Sequence, residues 1–342
     1  MRLKLKLALE AVAFVAFAVV LVFLPRWVSD FRTREFAIAG MYFIALLGLA
    51  ILTGYSGQIS LGHGAFMALG GYTTAILSVD HGFRPIWTIP LAGLVAGASG
   101  LLVGIPALRL TGIYLAIVTF GIAISVPQLL KWTKVEGFTG GTTGKYGEGL
   151  TSQPPFGLDT SANHWLYYLT AGIALVLLAA AWVIVRGKPG RALQAIRDSE
   201  IAAASSGVSL PVYKTLAFGI SAFYAGVAGA LYAIANTYVN PDTFQVPLSI
   251  YLVVGLAVGG LGSLAGLIGG AALVYFLQFH ADTVARWANH LPWLDVDPKQ
   301  PGVPSIVFGA VLILVMLLLP TGAGGLLRRL LGPLTSRLYT RS

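Results

Sequence analysis

The chain has 342 residues, of which 56% are hydrophobic and only 10% charged, with a formal net charge of +9. Globular domains carry about 25% charged residues, and one aqueous core cannot hide this much apolar surface, so a pair of soluble domains is excluded and lipid is the expected solvent. The absence of cysteine also excludes disulfide frameworks, thiolate metal sites and cysteine nucleophiles.

In chain order, Arg2, Lys4 and Lys6 precede a first apolar run at Ala8–Leu24. This resembles a secretory signal, but no small-residue cleavage site ends the run before Pro25, so a retained first helix is expected. Runs long enough to cross a hydrocarbon core of about 30 Å follow at Phe36–Thr53, Ile59–Val79, Ile86–Leu108 and Ile113–Leu130. Beyond a polar insert come Trp165–Val185, Tyr213–Ala235, Val246–Leu261, Leu267–Val284 and Val303–Leu319. The predicted fold is all-α, a polytopic transmembrane helix bundle of about ten spans forming one domain over residues 1–342.

Basic residues flank these runs, which is the pattern of membrane topology rather than of nucleic-acid binding. Arg2, Lys4 and Lys6 place the N-terminus in the cytoplasm, and Arg328, Arg329, Arg337 and Arg341 place the C-terminus there. The segment 186–214, with Arg186, Lys188, Arg191, Arg197 and Lys214 against Asp198 and Glu200, is expected to be cytoplasmic too. The insert 131–162 and the acidic loop Asp282–Lys299 fall outside. Arg26, Arg32 and Arg34 disagree with the rule, since a ten-span count puts them on the outer side.

Three segments stand out between and within the runs. Gly54–Phe66 (GYSGQISLGHGAF) places four glycines with Gln58, Ser60 and His63 inside an otherwise apolar region. Irregular backbone at membrane depth is tolerated only where protein or a watery cavity surrounds it. One reading is therefore a broken helix lining a solute path; the other is a tight cytoplasmic turn with a surface histidine. His63 taken alone reads as a packed or capping residue. The insert 131–162, rich in Gly, Thr and Pro, reads as a compact outer cap or as a disordered loop, with Gly140-Gly141 marking a tight turn. In the segment 188–207, Pro189 and Gly190 open a helix that Gly207 closes. Its small-residue face, Ala192, Ala195, Ile196, Ala203 and Ala204, suits either docking into a cytoplasmic partner or lying on lipid headgroups. Glycines four apart (Gly100/Gly104, Gly255/Gly259, Gly262/Gly266/Gly270) predict close helix packing in the bundle interior.

The positions of the 13 acidic residues constrain function further. All but Glu10 fall in loops or at span edges, whereas ion-coupled transporters place ionisable groups at mid-membrane. Secondary transport is thereby disfavoured. The five histidines have no metal-ligand spacing, and no metal or cofactor is predicted. Thr139–Lys145 (TGGTTGK) approaches a phosphate-binding loop but lacks its first glycine, and Tyr146 stands where Ser or Thr is needed. The chain is not expected to be an enzyme or to hold its own ATPase site.

Several blocks together resemble the LivM-type permease subunits of branched-chain amino-acid ABC transporters (the LivH/LivM family). They are Gly54–Phe66, Gly112–Thr119, Phe138–Gly141, Gly190–Arg197 with Lys214–Tyr232, Val239–Pro241, Gly259–Gly266 and Leu319–Leu326, in the family's order. The resemblance implies a permease subunit of an ATP-binding-cassette importer for branched-chain amino acids in the bacterial inner membrane. It would form half of a heterodimeric pathway with a second, LivH-like permease. Two cytoplasmic ATPases and a periplasmic or lipid-anchored substrate-binding protein would complete the assembly. It makes 186–214 the coupling loop, with Arg191, Ala195, Arg197, Asp198, Glu200 and Gly207 facing the ATPase. Gln58, Ser60, Gly62, His63 and Thr119 become the translocation path. The general pattern Glu-Ala-Ala-x-x-x-Gly ends at Gly207, but Ile201 takes the Glu position and Glu200 precedes it. Urea and short amides suit the same uncharged path, and a stand-alone transporter or channel for small neutral solutes, or a purely structural membrane subunit, is the rival class.

Overall fold

The computed structural model describes residues 19–108, 110, 112–154, 160–279 and the isolated positions 306, 309, 310, 313, 317 and 325. The expected first and last spans fall largely outside the described residues, as do the loop Asp282–Lys299 and the C-terminal arginines.

Apolar runs become helices here because in lipid a backbone must satisfy its own polar groups. Helix α1 (Asp30–Leu49) continues through a π-helical turn, Ala50–Tyr55. There follow α2 (His63–Val79), α3 (Pro85–Ala107), α4 (Ile113–Leu130) and α5 (Ala162–Arg186). Two short helices, α6 (Lys188–Asp198) and α7 (Glu200–Ser205), lead into α8 (Leu210–Asn236), α9 (Val246–Gly259) and α10 (Leu267–Phe279). Pro85, Pro211 and Pro247 sit in the first turns of α3, α8 and α9, where a missing N–H costs nothing. Pro90, Pro106 and Pro127 lie inside helices without ending them.

Among the described residues, six helices are long and apolar enough to cross a membrane: Asp30–Tyr55, Pro85–Ala107, Ile113–Leu130, Ala162–Arg186, Leu210–Asn236 and Pro241–Gly259. Leu267–Phe279 is a shorter apolar helix. The fold is that of a multi-pass helical membrane protein. The run expected at Ile59–Val79 becomes helical only from His63, because residues 57–62 form no helix.

The core forms around α8, which packs against α1, α2 and α3. The approach is very close. A Cβ added at Gly70 of α2 would lie 2.1 Å from the Gly226 carbonyl of α8, and one at Gly229 would lie 1.9 Å from the Met67 carbonyl. Gly100 and Gly104 of α3 face Ala222 and Thr215 of α8, and Gly255 of α9 faces Gly270 of α10, so these repeats do lie in the bundle interior. Gly262 instead occupies the α9–α10 turn with φ of 90°.

The bundle has two polar ends. At one, the described part of the insert, residues 131–154 and 160–162, folds over the helices as a cap. Strand β1 (Lys145–Tyr146) pairs antiparallel with β2 (Tyr238–Val239), and Gly140 and Gly141 turn with φ of 74° and 58°. The Lys145 ammonium pairs with Asp80, and Lys131 pairs with Asp242. Asp30 accepts hydrogen bonds from Ser161 and Asn163. Arg34 donates to the Ala235 carbonyl at 3.3 Å and to Asn236 Oδ1 at 3.1 Å. It thus caps the electronegative end of α8, which gives a local reason for a basic residue at this end. The opposite end carries Tyr55, Arg186, the α6–α7 pair and Lys214.

A test of the close packing follows. Gly70→Ala is expected to lower the melting temperature of the detergent-solubilised protein by several degrees, since overpacking against backbone costs about 1–3 kcal/mol. Gly172→Ala, where an added methyl meets open space, should leave it unchanged. Equal melting for both variants would contradict the close approach of α2 and α8.

Candidate functional site

The segment between α1 and α2 is buried, irregular backbone. After the π turn, Ser56 Oγ donates to the Leu52 carbonyl at 2.6 Å and the Gln58 N–H reaches the same carbonyl at 3.3 Å. Thr53 Oγ1 donates to the Gln58 carbonyl at 3.0 Å. Gly57 turns the chain with φ of 74°. From there exposure alternates: Gly57 and Ile59 are exposed, whereas Gln58, Ser60 and Gly62 are buried. The polar side chains of the stretch are therefore turned inward and Ile59 outward.

Side chains of other helices satisfy its backbone. Thr119 Oγ1 of α4 accepts from the Leu61 N–H at 2.9 Å, and Ser249 Oγ of α9 accepts from the Gly64 N–H at 2.9 Å. Ser60 Oγ accepts from the Gly62 N–H at 3.3 Å. These N–H groups open α2 and lack partners within the helix. The His63 ring is fully enclosed, and its Nε2 lies 2.9 Å from the Ala45 carbonyl. Because that carbonyl only accepts, Nε2 carries the proton. Ala45 precedes Tyr55 by ten residues, about 15 Å of helix, so the chain doubles back into the bundle before α2 begins. A surface histidine in a tight turn does not describe this arrangement.

All five sequence-derived path residues, Gln58, Ser60, Gly62, His63 and Thr119, thus gather in one buried cluster. A Cβ at Gly62 would lie 3.0 Å from the Thr119 carbonyl. Two polar atoms of the cluster have no protein partner: Gln58 Oε1, although Gln58 Nε2 donates to Ser56 Oγ at 2.8 Å, and His63 Nδ1. Ser249 escaped sequence reasoning, since one serine in an apolar run has no periodic signal. Tyr55, whose hydroxyl donates to the Gly262 carbonyl at 2.9 Å, escaped it too.

The segment 188–207 differs from the single helix expected. It is two helices, because Ser199 adopts an extended backbone (φ −162°, ψ 115°) and its hydroxyl caps the second by accepting from the Ala202 N–H at 3.3 Å. A serine side chain that satisfies a free N–H competes with helix continuation. Gly207 closes α7 with φ of 82°, as its position predicts. The small-residue face turns inward: Gly190, Ala192, Leu193, Ile196 and Ala203 are buried, and Ala195 is half-buried. Arg191, Gln194, Asp198, Ile201, Ala204 and Gly207 remain exposed.

Arg191 donates to the Arg186 carbonyl at the end of α5 at 3.4 Å, and two further charges of this segment reach the bundle. Glu200 Oε1 pairs with Lys214 Nζ at 2.7 Å, and Lys214, in the first turns of α8, is almost wholly buried. Arg197 donates from its guanidinium to the Gly54 carbonyl at the end of the π turn. Its Cγ would lie 3.1 Å from a Cβ at Gly57. The loop therefore rests directly on the start of the broken segment. At the far end of the bundle, Tyr232, Asp242, Thr243, Gln245, Leu248 and Tyr251 line a recess of about 300 Å³, in which Lys131 and Gln245 bond Asp242.

Residues 34–316 match the family described as branched-chain amino acid transport system / permease component. The chain belongs to this family. Both the broken segment and the α6–α7 loop lie within the matched region. This permease-family chain is 36% identical over 280 residues to the high-affinity branched-chain amino acid transport system permease protein LivM of Escherichia coli K12, covering 76% of this chain and 66% of the relative. It is 37% identical over 256 residues to the LivM protein of Salmonella typhimurium LT2, covering 68% and 60% respectively. The autoinducer 2 import system permease protein LsrC of Klebsiella pneumoniae is 31% identical over 201 residues, covering 56% of this chain and 52% of that one. The chain thus spans slightly less than two thirds of the LivM relatives. No solved structure matches it. Members of the family are permease components of transport systems, a class distinct from enzymes.

Thr119→Val tests the site's architecture. Removing the acceptor for the Leu61 N–H should destabilise the solubilised permease by about 1–3 kcal/mol, seen as a lower melting temperature, while Thr119→Ser retains the oxygen and the stability. Equal loss in both variants would show that methyl packing, rather than the hydrogen bond, holds the segment.

Proposed function

We propose that this chain is the permease subunit of an ATP-binding-cassette importer for branched-chain amino acids in the bacterial inner membrane. The observation that carries the reading is the 36% and 37% identity to two LivM permeases, together with a family match over residues 34–316 that includes the broken segment and the loop. A LivH-like permease forms the other half of the pathway, two ATPases dock beneath it, and a periplasmic or lipid-anchored binding protein delivers solute from outside. Lipid surrounds the remaining faces; α4 exposes Ile113, Ile117, Phe120 and Ile124.

Charge supports an orientation. At the cap end the basic residues Arg34, Lys131 and Lys145 are bonded within it. Arg186, Lys188, Arg191, Arg197 and Lys214 gather at the loop end, which the positive-inside rule puts in the cytoplasm. The cap 131–162 then faces outward, where the binding protein docks, and the about ten spans leave both termini in the cytoplasm. The ATPase meets the exposed side of the loop: Arg191, Asp198, Ile201, Ala204 and Gly207. Ala195 and Glu200 serve it from behind, Glu200 through its pair with Lys214. Solute passes along the broken segment, near Gln58, Ser60, Gly62, His63 and Thr119. No carboxylate lies in this cluster, and a zwitterion with an apolar side chain needs only dipoles and apolar walls. The work comes from ATP on other chains.

Reconstitution with the neighbouring transport genes tests the reading. Uptake of labelled leucine, isoleucine or valine should require ATP, and unlabelled valine should compete where urea does not. The double reversal Arg191→Glu with Asp198→Arg should reduce ATPase retention on affinity purification and lower uptake about tenfold or more, as expected when charged rim contacts are reversed. Uptake that persists without ATP, or that ignores these changes with no ATPase retained, would favour a stand-alone transporter.

A further inference from the structure

Besides the bond of Arg191 to the adjoining Arg186 carbonyl, the coupling loop meets the bundle through polar contacts to α8 and to the π turn. Glu200 ties α7 to Lys214 at the foot of α8, part of the tightly packed core. Arg197 ties the end of α6 to Gly54, the last turn before the backbone leaves helical form. The second contact has unusual geometry. The π turn ends at Tyr55, so the carbonyls of its last turn lack partners within the helix. A guanidinium carries fixed charge in a planar fork, so it holds a carbonyl with direction as well as attraction. Gly57, two residues beyond Tyr55, is shaped around the same side chain: its φ of 74° suits glycine, and Arg197 Cγ stands within 3.1 Å of where a Cβ would be.

We infer that Arg197 is the positioning residue that transmits displacement of the α6–α7 loop to residues 54–62, and so sets whether the broken segment is open or shut. Residues 57–62 have no helical bonds to resist deformation. On the bundle side Leu52 and Thr53 hold Gln58, Thr119 holds Leu61, and Ser249 and the Ala45 carbonyl hold the start of α2; on the loop side Arg197 holds Gly54. Of these, only Arg197 stands on an element that a cytoplasmic partner can push. Movement of the loop relative to α8 must shift the Gly54 carbonyl, or else break the bond.

This inference rests on the proposed ATP-driven function, and the test separates the two. In the reconstituted complex, both ATP hydrolysis and leucine uptake are measured, and their ratio is the readout. Arg197→Met should lower leucine taken up per ATP hydrolysed by about tenfold, within the usual range of coupling energies between sites. Arg197→Lys, which keeps charge but not the fork, should recover part of it. A ratio equal to wild type in both variants, even where the two rates fall together, would overturn the inference, because a residue that only stabilises the loop scales hydrolysis and uptake alike. Should Arg197→Met fail to assemble, the Arg197→Lys ratio decides alone: a fall supports the link and a wild-type value overturns it. A wild-type complex that takes up leucine without hydrolysing ATP would instead refute the function on which the inference depends.

Discussion

Inside a bilayer every backbone N–H and C=O must find a partner within the protein, and the rest of this structure answers to that constraint. Helices meet it by themselves. Residues 57–62 do not form one, so partners for this stretch and its flanks come from elsewhere: Thr53 for the Gln58 carbonyl, Thr119 of α4 for the Leu61 N–H, Ser249 of α9 for the Gly64 N–H, and Arg197 of the loop for the Gly54 carbonyl. These side chains reach the segment because the surrounding helices are packed unusually close. The glycine contacts of α2 and α8 determine how near those helices come, and hence where α2 can begin. A change at Gly70, remote from any solute, therefore bears on the same segment as a change at Thr119.

A segment held by a few side-chain bonds opens at lower cost than a helix, whose bonds break cooperatively. That property suits a gate. With Gln58 and Ser60 turned inward and Ile59 outward, the described conformation buries its own polar side chains. On the proposed function, opening exchanges some of these bonds for contacts with solute, and the free energy for that exchange enters through the loop. The scarcity of charge that first assigned this chain to lipid fits the same scheme. Among the described residues the charges lie towards the two polar ends, where several pair with one another.

Much of the fold was legible in the sequence, because span boundaries follow composition. Ile113–Leu130 is found where the apolar run predicts it, and Pro85–Ala107 differs by one residue at each end from the expected Ile86–Leu108. The break at Gly54–Phe66 was equally plain, since glycines, Gln58 and Ser60 interrupt an apolar run. What covers each face was not legible. The alanine stripe of 188–207 announces a packed surface without saying that the bundle itself covers it. The break at Ser199 did have a signal: a serine three residues before Ala202, followed by Glu200, is a helix N-cap pattern, but the neighbouring alanines favour continuous helix. Contacts such as His63 with Ala45, or Gly54 with Arg197, depend on tertiary approach and leave no local trace.

Much of this picture depends on the inward turn of Gln58 and Ser60 and the outward turn of Ile59. The chain lacks cysteine, so within this subunit, separated from its partners after labelling, a single introduced thiol reports its own site. Ile59→Cys and Ser60→Cys, each in the assembled complex, can be exposed to a small water-soluble thiol reagent with and without ATP hydrolysis. The account predicts modification at position 59 without ATP and protection at position 60, with position 60 becoming reactive during turnover. Equal reactivity at both positions, unaffected by ATP, would contradict it.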